Sequence, residues 1–174
     1  MTEQDVKRLI RDIPDFPKKG ILFKDLTTAF IIPECLNWFD NQIVDLYKEK
    51  GITKVLGIES RGFILGSIIA KELKAGFVPI RKKGKLPAEV AEITYKKEYG
   101  EDTIQIHKDA INQDDIVLIH DDLLATGGTI EAAIELVRKM GAKRIYANFL
   151  VELVDLKGRD ILPSDVEITS LIKY

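Results

Sequence analysis

The residues best suited to chemistry are two adjacent carboxylates, Asp121 and Asp122. After Leu123-Leu124 they lead into Ala125-Thr126-Gly127-Gly128-Thr129. Such a pair offers carboxylate oxygens that accept hydrogen bonds. The loop does the opposite work. Its glycines let an anion approach the backbone, and free N–H groups at a helix start favour a phosphate. The loop has no lysine, so a phosphate there is held by backbone N–H groups and the hydroxyls of Thr126 and Thr129. Two common phosphate loops are missing. Gly84-Lys85 is followed by Leu86, with Pro79 where the Walker pattern needs its first glycine, and no Gly-x-Gly-x-x-Gly occurs.

The flanking sequence supplies the elements that must hold these groups. Residues 116–119 are all apolar, and a short apolar run among helical neighbours reads as a buried strand of a parallel sheet. That strand is expected to end at the acidic pair. Beyond the loop, Ile130, Ala133, Ile134 and Val137 keep helical spacing, Arg138 and Lys139 suit the last turn, and Gly141 closes it. The loop therefore lies between a strand's carboxyl end and a helix start, where open α/β sheets bind ligands.

The same alternation runs through the chain. An amphipathic helix is predicted over residues 2–13, with Thr2 as cap, Asp5 as its capping partner and Pro14 as the stop. A second helix starts at Pro33 and runs to about Lys50. Strands are predicted at 54–58, 76–80, 103–106, 143–150 and 166–172, and a helix follows Glu59-Ser60-Arg61-Gly62-Phe63. The pattern predicts an α/β fold with a mostly parallel twisted sheet flanked by helices. At a strand's carboxyl edge, Arg61 reads as an anion binder. Residues 81–102 are rich in charge and show little apolar periodicity, which reads as a lid, a binding loop or a disordered segment. His120 reads as a strand-end residue hydrogen-bonded to a neighbour. His107 belongs to no constellation.

Composition narrows the partners. A chain of 174 residues suits one domain, 1–174, with a full core. A net charge of −2 gives no reason to expect nucleic acid or an anionic membrane, so anion binding has to be local. Cys35 is the only cysteine, which excludes an internal disulfide and fits a reducing compartment. No apolar run approaches the length of a membrane span, so a cytoplasmic protein is expected.

The apolar strand, Asp-Asp pair and Thr-Gly-Gly-Thr loop resemble the 5-phosphoribosyl pyrophosphate (PRPP) signature of type I phosphoribosyltransferases. Other segments resemble the adenine phosphoribosyltransferase family within that group. Asp15-Phe16-Pro17 and Gly20-Ile21-Leu22-Phe23-Lys24-Asp25 are similar to its N-terminal hood, and Glu59-Ser60-Arg61-Gly62-Phe63 to its pyrophosphate loop. Arg81-Lys82-Lys83-Gly84-Lys85-Leu86-Pro87 and Glu98-Tyr99-Gly100 are similar to its flexible catalytic loop. Val151-Glu152-Leu153 and Leu156-Lys157-Gly158-Arg159 are similar to its C-terminal segment.

The resemblance implies a type I phosphoribosyltransferase fold with an N-terminal arm and hood over 1–32 and a flexible catalytic loop over 81–102. It implies transfer of the 5-phosphoribosyl group from PRPP to adenine, giving AMP and pyrophosphate. Mg²⁺ is then bound mainly through PRPP and pyrophosphate, and no dedicated protein metal site is expected. Asp121 and Asp122 would bind the ribose hydroxyls beside an oxocarbenium-like centre. Residues 125–129 would hold the 5-phosphate. Ser60, Arg61, Arg81 and Lys85 would surround the pyrophosphate, whereas Lys82 and Lys83 read as solvated charge. Phe23 would stack on adenine, and Leu22 and Lys24 would contact it through backbone atoms. Glu98 would act as acid or hydrogen-bond partner at purine N7; by itself it reads as a surface loop carboxylate. The family implies a homodimer. Two alternatives stand beside this reading: an enzyme for an oxopurine such as hypoxanthine, guanine or xanthine, and a non-catalytic PRPP-sensing regulator.

Overall fold

A computed structural model describes residues 1–16, 18–96 and 100–174. Contacts within the chain group into two units, Met1–Gln42 and Ile43–Tyr174.

The N-terminal unit begins with helix α1, Glu3–Leu9. Its first turn carries the expected capping box: Thr2 N–H donates to Asp5 Oδ2 at 2.9 Å, and Asp5 N–H donates to Thr2 Oγ1 at 3.3 Å. The helix is shorter than residues 2–13. Ile10 turns extended, and strand β1, Arg11–Pro14, pairs antiparallel with β2, Leu22–Asp25. Helical spacing of Ile13 with Val6 and Leu9 loses here to a partner distant in sequence. Ile13 sits opposite Phe23, Arg11 pairs with Asp25 at 2.6 Å, and Lys24 with Asp12 at 2.6 Å. The short helix α2, Thr27–Phe30, follows. Helix α3, Pro33–Tyr47, opens at the expected proline.

The second unit contains a seven-stranded sheet. Its strands are β3 Lys54–Ile58, β4 Gly76–Lys82, β5 Val90–Lys96, β6 Glu101–His107, β7 Ile116–Leu124, β8 Arg144–Glu152 and β9 Glu167–Lys173. The order is β5-β6-β4-β3-β7-β8-β9. The five strands from β4 to β9 in that order run parallel, and β6 and β5 extend the sheet antiparallel. The expected fold is therefore present: a mostly parallel sheet flanked by helices. Helices α4, Gly62–Glu72, and α5, Gly128–Lys139, cover opposite faces. Alternate residues of a strand point to opposite sides. Gly57 and His120 lie against Gly62 and Gly66 of α4, whereas Leu56, Ile58 and Ile119 join Ile130, Ile134 and Val137 of α5 in the main core. Gly57 makes the close approach possible, because a Cβ there would come within 2.8 Å of the Gly62 carbonyl.

Two stretches of this second unit also differ from expectation. Strand β7 does not end at the acidic pair; it continues through both aspartates to Leu124, since β8 pairs with it as far as Leu124 opposite Glu152. The stretch 81–102 contains regular structure. Strand β4 runs on to Lys82, and β5 forms a hairpin with β6, from Val90 opposite His107 to Lys96 opposite Glu101. A period-two signal is present there. Ala91, Ile93 and Tyr95 pack on the core, while Glu92, Thr94 and Lys96 face out. The outward charges obscured it.

Candidate active site

The site of the second unit lies where β3, β4 and β7 deliver their carboxyl ends. Asp122 is buried with 2% of its surface exposed, and Asp121 is half-buried. Consecutive strand residues face opposite ways, so the pair spreads its charge over two directions rather than one. Arg61, the residue before α4, sets its Nε 2.5 Å from Asp122 Oδ2. This is an ion pair by distance, although Oδ2 takes no aligned hydrogen bond among the described residues. Burial pushes the Asp121 carboxyl well above the usual carboxylate range, and the Asp122 charge adds to it. Burial raises Asp122 too, with Arg61 opposing.

Three adjoining cavities share Asp121. One, of about 190 Å³, is lined by Glu59, Arg81, Lys82, Tyr95, Asp121 and Thr129 among others. A second, of about 340 Å³, is lined by Glu59, Ser60, Arg61, Lys82, Asp121 and Asp122. The third, of about 100 Å³, lies over the loop of residues 125–129 and reaches Asp121 and Phe149. A half-exposed carboxylate thus stands at the junction of the glycine-loop cavity and two cation-bearing cavities.

The loop is shaped by backbone contact. Gly127 adopts φ 87°, the left-handed region that glycine enters without strain, and α5 starts directly after it. A Cβ on Gly127 would run into the Gly158 carbonyl, and a Cβ on Gly158 into the Ala125 carbonyl. The turn bearing Gly158 is pinned by its neighbour. Arg159 Nε donates to Glu152 Oε1 at 2.9 Å, and Arg159 Nη1 donates to the Ile168 carbonyl at 2.8 Å. Sequence spacing links Gly158 to a turn but not to this loop.

The cations are anchored as well. Arg81 Nε donates to Glu59 Oε2 at 3.2 Å, and the Lys82 N–H donates to the same oxygen at 2.9 Å. Burial pushes Glu59 up, but these donors outweigh it and its pKa falls below the usual value. Ser60 and Arg61 line the 340 Å³ cavity and Arg81 the 190 Å³ one, with Glu59 in the walls of both, and the Glu59–Ser60 peptide bond is cis. Lys82, read from sequence as solvated charge, lines both cation-bearing cavities. Lys85 lies outside the residues lining the three cavities, and its carbonyl accepts from Arg81 at 3.5 Å.

Other expected residues fall elsewhere. Leu22, Phe23 and Lys24 belong to β2 of the N-terminal unit. There Phe23 meets Phe16 edge-on at 5.2 Å, and the Lys24 ammonium is taken up by Asp12. Glu98 lies outside the described residues. His120 lies inside β7 rather than at its end and is fully buried. Its Nδ1 pairs with Asn148 Oδ1 at 3.1 Å, Asn148 Nδ2 donates to Thr169 Oγ1 at 2.8 Å, and Thr169 meets the Tyr47 hydroxyl at 2.7 Å. Since the Asn148 amide nitrogen is used on Thr169, its oxygen accepts and His120 Nδ1 carries the proton. Burial lowers the His120 pKa to about 4, so the ring is neutral at ordinary pH.

Comparisons with known proteins point to one family. The family model of the phosphoribosyl transferase domain matches residues 34–171. An adenine phosphoribosyltransferase of Bacteroides thetaiotaomicron is 58% identical over 172 residues, which span 99% of this chain and 98% of that one. The crystal structure of adenine phosphoribosyltransferase from Rhodothermus marinus superposes with a TM-score of 0.94 at 49% identity, over 99% of this chain and 98% of the other. The enzyme from Giardia lamblia, complexed with 9-deazaadenine, gives a TM-score of 0.95 at 46% identity, over 100% and 98%.

Proposed function

Because this chain belongs to the phosphoribosyltransferase family, among its adenine phosphoribosyltransferases, we propose that it is a purine salvage enzyme that makes AMP. It transfers the 5-phosphoribosyl group from PRPP to adenine and releases pyrophosphate. One observation carries the assignment of the site: Asp121 lines the phosphate-loop cavity and both cation-bearing cavities. A sugar with a phosphate at one end and a pyrophosphate at C1 matches that layout.

Residues 125–129 bind the 5-phosphate through backbone N–H groups and the hydroxyls of Thr126 and Thr129. Asp121 and Asp122 accept from the ribose hydroxyls. The C1–O bond breaks as the purine N9 bond forms, and positive charge builds on the sugar beside the two carboxylates. An ionised Asp121, costly in the buried site, gains from that charge. Ser60, Arg61, Arg81 and Lys85 hold the departing pyrophosphate, and Lys82 joins them on the strength of its place in the cavity walls. Leu22, Phe23 and Lys24 take the base, with Phe23 stacking. Glu98 serves purine N7 as acid or hydrogen-bond partner.

Mg²⁺ fits the donor set as a passenger on the substrate. The cavity walls offer carboxylate and hydroxyl oxygens, the ligand type Mg²⁺ prefers, while phosphate oxygens and water fill most of its shell. When bound, it supplies the neutralisation that lets pyrophosphate leave. We further infer a cytoplasmic homodimer, on the family resemblance and the lone Cys35. None of the helices among the described residues is long and apolar enough to cross a membrane. Sedimentation velocity tests the dimer.

Turnover with PRPP, Mg²⁺ and a panel of purines tests the activity. AMP formation is expected, with adenine outcompeting hypoxanthine at equal concentration. Preference for hypoxanthine, guanine or xanthine would reassign the base, and PRPP binding without turnover would favour a sensor.

A further inference from the structure

Tyr95 is a side chain at the site that the reaction just described leaves without a part. It lies near the end of β5, on the hairpin, and its hydroxyl is 2.9 Å from Thr129 Oγ1. Its ring packs on the main core and stands 4.0 Å from where a Gly128 Cβ would be, so it covers the start of α5. Thr129 lines the phosphate-loop cavity and, with Tyr95, the 190 Å³ cavity beside Asp121. This pair of hydroxyls joins the hairpin to the loop.

We propose that Tyr95 is a positioning residue for the 5-phosphate of the substrate, acting through Thr129. The inference rests on the reading of residues 125–129 as the phosphate loop. A hydroxyl has one proton and two lone pairs, and either oxygen of the pair can donate. A phosphate offers acceptors only. Once it fills the loop, the Thr129 proton points to it, and the Tyr95 proton is the one that fits a Thr129 lone pair. The resulting chain runs from Tyr95 O–H to Thr129 O–H to phosphate oxygen. Hydrogen bonds in such a chain polarise one another, and the last is charge-assisted. Tyr95 also restricts the Thr129 rotor before the ligand arrives, so less freedom is lost on binding. A phenylalanine would fill the same space against α5; only the hydroxyl distinguishes the two.

Tyr95→Phe tests this. KM for PRPP is expected to rise about three- to tenfold, the effect of one hydrogen bond, and AMP to bind more weakly by a similar factor. Pyrophosphate carries no 5-phosphate, so its inhibition constant is expected to stay constant, as is KM for adenine. In a Thr129→Val background, Tyr95→Phe is expected to change KM for PRPP no further. Thr129→Ser keeps the hydroxyl and is expected to keep the sensitivity to Tyr95→Phe. A melting temperature held by Tyr95→Phe excludes a general loss of fold. The proposal is overturned if Tyr95→Phe leaves KM for PRPP unchanged. It is equally overturned if PRPP, adenine and pyrophosphate weaken together, or if the two substitutions add. Wild-type turnover in the same assay separates the two levels. An inactive wild type overturns the proposed function, while an active wild type indifferent to Tyr95→Phe overturns only the role of Tyr95.

Discussion

The backbone of Gly158 rests so close to the Ala125 carbonyl that no side chain fits between them. A turn that follows β8 thereby holds the loop between β7 and α5. Gly158→Ala forces that loop to shift. The expected result is a rise of at least tenfold in KM for PRPP, with a stability loss of about 1–3 kcal/mol for overpacking. Steady-state kinetics and thermal melts check it. An unchanged KM would show that the loop adapts without consequence for phosphate binding.

Asp121 carries a stability cost at the centre of the proposed site. Its folded pKa is raised by burial and by Asp122, so ionising it costs stability at every pH above its unfolded value. Asp121→Asn removes that cost while keeping the shape. At pH 7 the variant is expected to melt no lower than the wild type, gaining about 2–4 °C for each kcal/mol relieved. Its kcat is expected to drop about a hundredfold or more. The acid limb of the wild-type rate profile is expected above the ordinary carboxylate range. A variant that is active, or that unfolds, would remove Asp121 from this role.

Arg61 faces the opposite way in energy, since it opposes the rise of Asp122. Arg61→Met leaves a buried carboxylate without its cation. Because the Arg61 side chain is 37% exposed, solvent screens part of the loss, and a cost of about 1–2 kcal/mol is expected. That cost shrinks as pH falls and Asp122 takes a proton. Melting temperatures of both proteins at pH 7.5 and pH 5 check the trend; a gap that widens toward acid would contradict the pairing.

His120 sets a second pH dependence. Its pKa of about 4 in the fold lies below the ordinary histidine value, so the unfolded chain binds the extra proton first. Its contribution is fully present above about pH 6.5 and is lost as pH falls toward 4, by on the order of 3 kcal/mol in all. His120→Leu is expected to flatten the stability profile between those limits relative to wild type. Parallel profiles in denaturant titrations would assign the acid sensitivity to other groups.

Much of this molecule is legible without coordinates. Strand β3 is found where residues 54–58 predict it, α3 opens at Pro33, and α5 begins at the second glycine of Thr-Gly-Gly-Thr. These elements are set by local periodicity, caps and breakers, which act over one or two turns of chain. The misses share a cause. Residues 11–13 continue a helical stripe, yet they pair with β2, because backbone pairing and two ion pairs outweigh local preference. Charge on Glu92, Lys96 and Glu101 hides the alternation of the β5–β6 hairpin. The burial of Asp122 is hidden too, since an acidic pair reads as a strand end when the reach of β8 is unknown.

The sequence by itself determined which residues the proposed chemistry draws on. Two carboxylates, a lysine-free glycine loop and a following helix predict an anion at a strand's carboxyl edge, and each signal is local. Only the tertiary structure decided which distant groups complete it. Arg61 on Asp122, Glu59 holding Arg81, Tyr95 on Thr129 and Gly158 under Ala125 all join segments far apart along the chain. Such contacts depend on strand order and register, which arise from the packing of the whole sheet and leave no short-range pattern to read.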